Sequence, residues 1–198
     1  MEVPAWFSGL LREENLSNEQ VDQLYQHYQL LDRWNRKMNL TTVRSGPEMV
    51  ERHYMESLFF ARHIPGEFAT LADIGSGAGF PGIPIAVLKP NCRVTLVESN
   101  QKKCVFLKES TRGLSNVTVA AQRAQDVHSP FEWVVSRAVD PDQVIALIPR
   151  LAARIGLMVG EDDYNTLKLS PNIAWGELVR LPWGDRRICV FGHVSRGT

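Results

Sequence analysis

The sequence predicts an α/β fold: a mostly parallel sheet with an antiparallel C-terminal edge, preceded by an N-terminal helical cap. Three observations carry this. Residues 1–65 show helical periodicity and helix punctuation. From about residue 69, short runs rich in Val, Ile and Leu alternate with segments able to form helices, the pattern of βαβ units with strands buried on both faces. The last two apolar runs are separated only by Gly184–Asp185 and their neighbours, which reads as a hairpin.

The elements follow in order. Residues 17–40 open with Ser17 and carry Gln20 three positions on, the capping-box spacing. Val21, Leu24, Tyr28, Leu31 and Trp34 then fall on one helical face. A second helix spans residues 46–66, with Pro47 suited to its first turn and Pro65–Gly66 ending it. "TLADIG", "RVTLVES", "VTVAA" and "EWVVSRAV" read as strands, with helical segments at 81–89, 100–113 and 140–153. "IGLMVG" reads as a fifth strand, and "GELVRLPW" with "RRICVFGHV" completes a count of seven. The only linker candidate, residues 66–69, is short. The expected organisation is therefore a cap over residues 1–65 packed on a core over 66–198, forming one compact unit.

Composition narrows the class. Among 198 residues, 44% are hydrophobic and 22% charged, the balance of an ordinary globular domain. Formal net charge is zero, so nucleic-acid binding would need a local basic patch. Cys92, Cys104 and Cys189 are odd in number and form no CxxC, which argues against a disulfide framework or zinc site and for a reducing cytoplasm. The acids near the N-terminus argue against a signal peptide, and no apolar run approaches the roughly 20 residues needed to cross a bilayer. A monomer without metal or membrane attachment is expected.

The informative stretch is "LADIGSGAGFPGIP", residues 71–84. Gly75, Ser76, Gly77 and Gly79 follow the apolar run that delivers Asp73. Glycines there let the chain turn and a ligand approach, and the helix start that follows offers free N–H groups. A plain strand-to-helix turn is the bland alternative. Glu98 tips the balance: it ends the next apolar run, where a carboxylate grips the ribose hydroxyls of a nucleoside. The dinucleotide fingerprint would need glycine at position 80, which is Phe80. The D-x-G-x-G-x-G spacing instead resembles the first motif of class I S-adenosyl-L-methionine methyltransferases, with their Rossmann-like sheet.

A closer resemblance covers roughly residues 16–160. "LLDRWNRKMNLT", "ERHYMESL", "DIGSGAGFPGIPIA", "ESNQKKCVFLK" and "VVSRAV" occur in this order and are similar to the glucose-inhibited division protein B (RsmG) family. That resemblance implies methylation of guanine N7 in small-subunit (16S) ribosomal RNA, with S-adenosyl-L-methionine as cofactor and the small ribosomal subunit as partner. It also implies that Gly75, Ser76, Gly77, Gly79 and Phe80 frame the cofactor loop, that Glu98 holds the ribose, and that Ala124 and Gln125 sit at the adenine. Arg137 would face both cofactor and substrate, and with His53 forms the catalytic pair of candidates. Gln125 stands where the family usually has Glu, Glu56 follows His53 where an Asp is frequent, and Val159 precedes Gly160 where Lys is common.

Alternatives stand beside these readings. Arg137 could be a structural ion pair with Asp126 or Asp140. His53 reads equally as a core histidine. Trp34 reads as core, Asn39 as a turn cap, and Cys104 as packing. Arg33, Arg36, Lys37 and Arg44, and Lys102, Lys103 and Lys108, read as phosphate contacts or as solvated helix faces. A related methyltransferase with another RNA or small-molecule substrate, and a non-catalytic protein retaining the cofactor fold, are the rival functions. Guanine N7 carries a lone pair and no proton, so its methylation needs positioning rather than a strong base, consistent with the absence of an obvious His/Asp or Cys pair.

Overall fold

A computed structural model describes residues 2–184 and 186–195. Its sheet runs in the order 117–120, 93–97, 70–74, 131–137, 152–160, 187–194 and 173–175, with 179–180 also paired to 187–194. The five parallel strands are β1 (Thr70–Ile74), β2 (Arg93–Val97), β3 (Val117–Ala120), β4 (Phe131–Arg137) and β5 (Ala152–Gly160). Strand β8 (Arg187–Val194) returns antiparallel to β5. The two short strands β6 (Ile173–Trp175) and β7 (Val179–Arg180) line its outer edge, so the antiparallel strand is itself covered. The expected hairpin is the β7–β8 pair, joining Val179 to Cys189; Asp185 in its turn lies outside the described residues.

Helices flank both faces. On one lie α5 (Gly82–Leu88) and α6 (Gln101–Ser110), on the other α7 (Pro141–Leu151) and α8 (Glu161–Leu167). Before them come α1 (Ala5–Leu10), α2 (Asn18–Met38), α3 (Gly46–Met49) and α4 (Glu56–His63). The capping box at Ser17 and Gln20 is formed. The second cap helix is not uniform: a π-helical segment, Val50–Met55, joins α3 to α4. Such segments widen the turn locally and occur often at functional sites. This one carries His53 and Tyr54 and delivers Glu56.

The cap shares its core with the sheet. Phe7, Leu24, Leu31, Leu58 and Phe60 join Leu71, Ile83, Phe106 and Trp133 in one buried apolar cluster. Leu24 and Leu31 are fully buried, whereas Val21, Tyr28 and Trp34 are half-buried. Trp34 packs edge-on against Phe106 of α6 at 5.8 Å, a core contact. His27 and Asn35 complete the buried stripe of α2. A helix-period pattern of apolar residues does not flag these polar members, although they fall in its register.

Candidate active site

Strands β1, β2 and β4 are adjacent, and the connections from β1 and β4 leave the sheet in opposite directions. This is the switch point outside the carboxyl ends where ligands of open α/β sheets bind. Three charged residues stand there: Asp73 in β1, Glu98 just past β2, and Arg137 ending β4.

Asp73 is fully buried. Its Oδ2 accepts a hydrogen bond from Gly82 N at 3.0 Å, anchoring the start of α5. Desolvation pushes its carboxyl up to about 7, against the pull of that hydrogen bond. Gly82 is required by close approach: a Cβ there would stand 2.7 Å from Asp73 Oδ2. Between strand and helix, Gly75 N and Ser76 N both donate to Val97 O, at 2.9 and 3.1 Å, and Ser76 Oγ donates to Asp73 O at 3.0 Å. Ser76 therefore stitches the loop internally.

Glu98 holds the loop from the neighbouring strand. Its Oε2 accepts from Gly77 N at 3.0 Å and its Oε1 from Asn100 N at 2.8 Å. Gly77 has φ +58°, and a Cβ placed there would meet only the Gly75 carbonyl oxygen, at 3.8 Å, so its face toward the cleft is open. A cavity of about 360 Å³ lies beside Glu98, lined also by Gly75, Ala124, Gln125 and Val139. An ionised carboxylate offers about four acceptor positions, and two are in use. This arrangement fits a nucleoside: spare carboxylate lone pairs to accept from sugar hydroxyls, an open glycine face, and the turn Ala124–Asp126 at the rim.

A second cavity, of about 330 Å³, lies on the other side of the loop. Ser76, Gly77, Phe80, His53, Thr41 and Arg137 line it. Gly79 lines neither cavity; it packs against Ile83 and His27. Phe80 is 7% exposed, stacked on His53 at 4.9 Å and edge-on to Tyr54 at 5.0 Å. His53 Nε2 lies 2.7 Å from Thr41 Oγ1. Burial first, and the Arg137 charge second, hold this imidazole down at about 3, so it is neutral.

The wall that presents Thr41 explains the W-N-x-x-x-N-L-T run. Asn35 is buried and bridges the turn, its Oδ1 accepting from Thr41 N at 2.9 Å and its Nδ2 donating to Val43 O at 3.3 Å. Asn39 ends α2 in the left-handed region, and its side chain accepts from Arg44 at 2.6 Å. Arg44 is thereby committed to the turn. Arg33 and Arg36 are ion-paired to Glu109 and Asp32, while Lys102 and Lys108 stay exposed on α6. Cys104 is buried and donates to the Glu98 carbonyl at 3.1 Å.

Arg137 pairs with neither Asp126 nor Asp140, the partners considered for a purely structural ion pair; its partner is Glu56. Its Nη2 lies 3.0 Å from Glu56 and donates to Arg52 O at 2.7 Å. Asp140 caps α7, accepting from Asp142 N at 3.1 Å, and Asp126 is exposed. Glu56 is 1% exposed and is also ion-paired to Arg187 of β8. Burial pushes the Glu56 carboxyl up, and the two guanidiniums pull it back. The group is one buried carboxylate between two guanidiniums, at the edge of a third cavity of about 290 Å³ that also contains Val139, Met158, Val159 and Asp163. Arg137 belongs to both this cavity and the one beside His53. One of its donors, Nη1, is buried without a partner. Sequence reading missed Arg187, Thr41 and His27. For Glu56 the only signal was its position three residues after His53.

Among the described residues no cluster of His, Cys, Asp or Glu could hold a metal ion, and no helix is long and apolar enough to cross a membrane.

This sheet, glycine loop and strand-end carboxylate define the fold of S-adenosylmethionine-dependent methyltransferases. A methyltransferase of that kind from Aquifex aeolicus superposes with a TM-score of 0.61 at 16% identity, over 75% of this chain and 94% of that one. A ribosomal protein L11 methylase from Lactobacillus delbrueckii gives 0.60 at 13%, over 73% and 79%. The chain belongs to the GidB family, rRNA small subunit methyltransferase G, whose model matches residues 20–159. The ribosomal RNA small subunit methyltransferase G of Xanthomonas campestris pv. campestris (strain B100) is 41% identical over 143 residues, 70% of this chain and 66% of that protein. That of Nitrosospira multiformis is 41% identical over 165 residues, 81% of this chain and 75% of that protein. The match thus spans about two thirds to three quarters of these relatives' length.

Proposed function

We propose that this chain transfers the methyl group of S-adenosyl-L-methionine to N7 of a guanine in small-subunit (16S) ribosomal RNA, acting as a cytoplasmic monomer. Membership of the GidB family supports the reaction class. The observation that carries the site is the Glu98 carboxylate, held at the tip of β2 by Gly77 N–H with acceptor positions to spare.

When bound, S-adenosyl-L-methionine supplies a methyl activated on a sulfonium. Glu98 would accept from the ribose hydroxyls, Ala124 and Gln125 would flank the adenine, and the backbone of Gly75, Ser76 and Gly77 with Phe80 would shape the cradle, Gly79 supporting the loop from behind. The residues 1–65 cap closes the acceptor side over the 66–198 core.

On that side this chain needs no general base, because N7 has no proton to lose. Its task is to hold the base, and alignment alone supplies up to about 7–11 kcal/mol of barrier lowering in the best cases. Arg137 lines this cleft, and its guanidinium is the donor proposed for guanine O6, the acceptor next to N7. Glu56 beside it offsets the guanidinium charge as the base becomes cationic. Neutral His53 forms an uncharged wall that does not repel that cation. The arginines at this cleft and the exposed lysines of α6 would contact phosphates of an RNA whose target base is splayed out.

The test is methyl-labelled cofactor incubated with unmodified small subunits, free 16S RNA and free nucleosides, followed by mass spectrometry of the digest. N7-methylguanine at one site is expected. Label confined to a small molecule or another RNA would move the substrate assignment. Cofactor binding without any transfer would make the chain a binding protein.

A further inference from the structure

His27 of α2 is a buried titratable residue that lines neither cavity beside the glycine loop. It is 1% exposed and touches the cofactor loop directly: Nε2 lies 3.0 Å from the carbonyl oxygen of Ala78, and Nδ1 lies 2.6 Å from the Tyr54 hydroxyl. A carbonyl cannot donate, so Nε2 carries the proton, Nδ1 accepts, and the Tyr54 hydroxyl donates. Burial holds the imidazole down at about 4, in keeping with that neutral form.

The position of Ala78 makes this contact consequential. It lies between Gly77 and Gly79, both at positive φ. Such a segment has many accessible conformations unless it is held. Gly77 N–H is held from the β2 side by Glu98. The carbonyl of the following residue, Ala78 O, is held from the cap side by His27. The loop is thus clamped at two successive residues, by one group from the core and one from the cap. Tyr54 comes from the π-helical segment and fixes the imidazole's tautomer and orientation, as a second-layer partner does for a metal-ligating histidine.

We propose that His27, oriented by Tyr54, is a positioning residue for cofactor binding: its Nε2–H donates to Ala78 O and preorganises the glycine loop, so that the N-terminal cap contributes to cofactor affinity without touching the cofactor. This rests on the reading of that loop as the cofactor site. A loop already in its bound shape loses less freedom on binding.

The experiment measures S-adenosylhomocysteine binding by calorimetry, and transfer kinetics, for the full chain and for His27→Leu, His27→Gln and Tyr54→Phe. Thermal unfolding is followed in parallel. Loss of the clamp weakens binding about tenfold in His27→Leu, the scale of one lost hydrogen bond. KM for the cofactor rises to match while kcat at saturation is kept. His27→Gln, whose amide supplies a donor at the place of Nε2, recovers most of the affinity, and Tyr54→Phe falls between. Wild-type affinity in a folded His27→Leu overturns the inference, as does a His27→Gln that is as weak as His27→Leu. If His27→Leu does not fold, Tyr54→Phe and the ring nitrogen shifts of His27 in the wild type decide. An Nε2–H tautomer in both the free and the S-adenosylhomocysteine-bound protein supports the clamp, and an Nδ1–H tautomer in either overturns it. A wild type that binds no S-adenosylhomocysteine sinks the cofactor reading itself, which no variant result could do.

Discussion

Arg137, at the carboxyl end of β4, and Glu56, at the start of α4, face each other at 3.0 Å across the boundary between sheet and cap. The carboxylate is almost wholly buried, and a second guanidinium, from Arg187 of β8, closes on it. Three segments far apart in the chain are tied at one charge cluster, and a cavity of about 290 Å³ opens beside it.

Removing the shared carboxylate should therefore cost more than removing either arginine. Glu56→Gln leaves two guanidiniums facing each other with no counter-charge. Breaking a buried pair costs about 3–5 kcal/mol; Arg187 is one third exposed and partly screened, which places this variant at the lower end, about 3 kcal/mol. Urea unfolding reads it directly, and an unchanged midpoint would show that the cluster holds nothing together.

Arg137→Lys separates charge from geometry. A lysine keeps the positive charge beside Glu56 but offers no planar fork. Stability should stay within about 1 kcal/mol of wild type while methyl transfer falls about tenfold or more. Equal losses in both measurements would reduce Arg137 to a structural ion pair.

Glu98→Gln should weaken S-adenosylhomocysteine binding by about 1.5–3 kcal/mol, the range for hydrogen bonds to charged groups. That is about 10- to 150-fold in Kd. The amide oxygen can still accept from Gly77 or Asn100, so the fold should survive. Calorimetric titration with undiminished affinity would remove Glu98 from the site.

The parallel strands and the capping box of α2 were legible because each is local: a run of β-branched residues, or Ser17 with Gln20. The same holds for the glycine loop, whose spacing is its signal. The partner of Arg137 was not legible. Asp126 and Asp140 are near in sequence, but Glu56 arrives through the packing of a cap helix on the strand end, and nothing in residues 50–56 announces the π-helical widening that carries it. His27 was hidden for a related reason: it sits in register with Leu24 and Leu31, so periodicity reads the position as core and cannot see the backbone carbonyl it meets. Short β6 and helix α8 were missed because residues 161–178 lack a clear period.

Gly77→Val tests the open face of the loop. The backbone there is left-handed, a conformation that costs an ordinary residue roughly 1–2 kcal/mol, and a branched side chain would enter the space between Glu98 and the cleft. Binding of S-adenosylhomocysteine should vanish while far-UV circular dichroism stays native. Retained affinity would show that the ligand lies elsewhere.

The pH dependence of stability has two opposing sources. Asp73 titrates near 7 in the fold, well above an ordinary aspartate at 3.8. Between those values the native state holds a proton that the unfolded chain does not, so this residue's contribution is present at low pH and is lost as pH rises toward about 7. His27 and His53 act in the other direction, at about 4 and about 3 against 6.5 when unfolded. In the window from about 4 to 6.5 the unfolded chain takes up protons on both histidines, while the native state takes one up on Asp73, joined toward the acid end by Glu56, whose carboxyl burial also raises, so the two sources oppose each other through this window. Asp73→Asn removes the opposing proton and keeps an oxygen to accept from Gly82 N. Relative to wild type it should lose stability on acidification through this window and gain it as pH rises to about 7. Urea midpoints measured across this range decide the point: parallel curves for the two proteins would mean that Asp73 is already ionised well below neutrality.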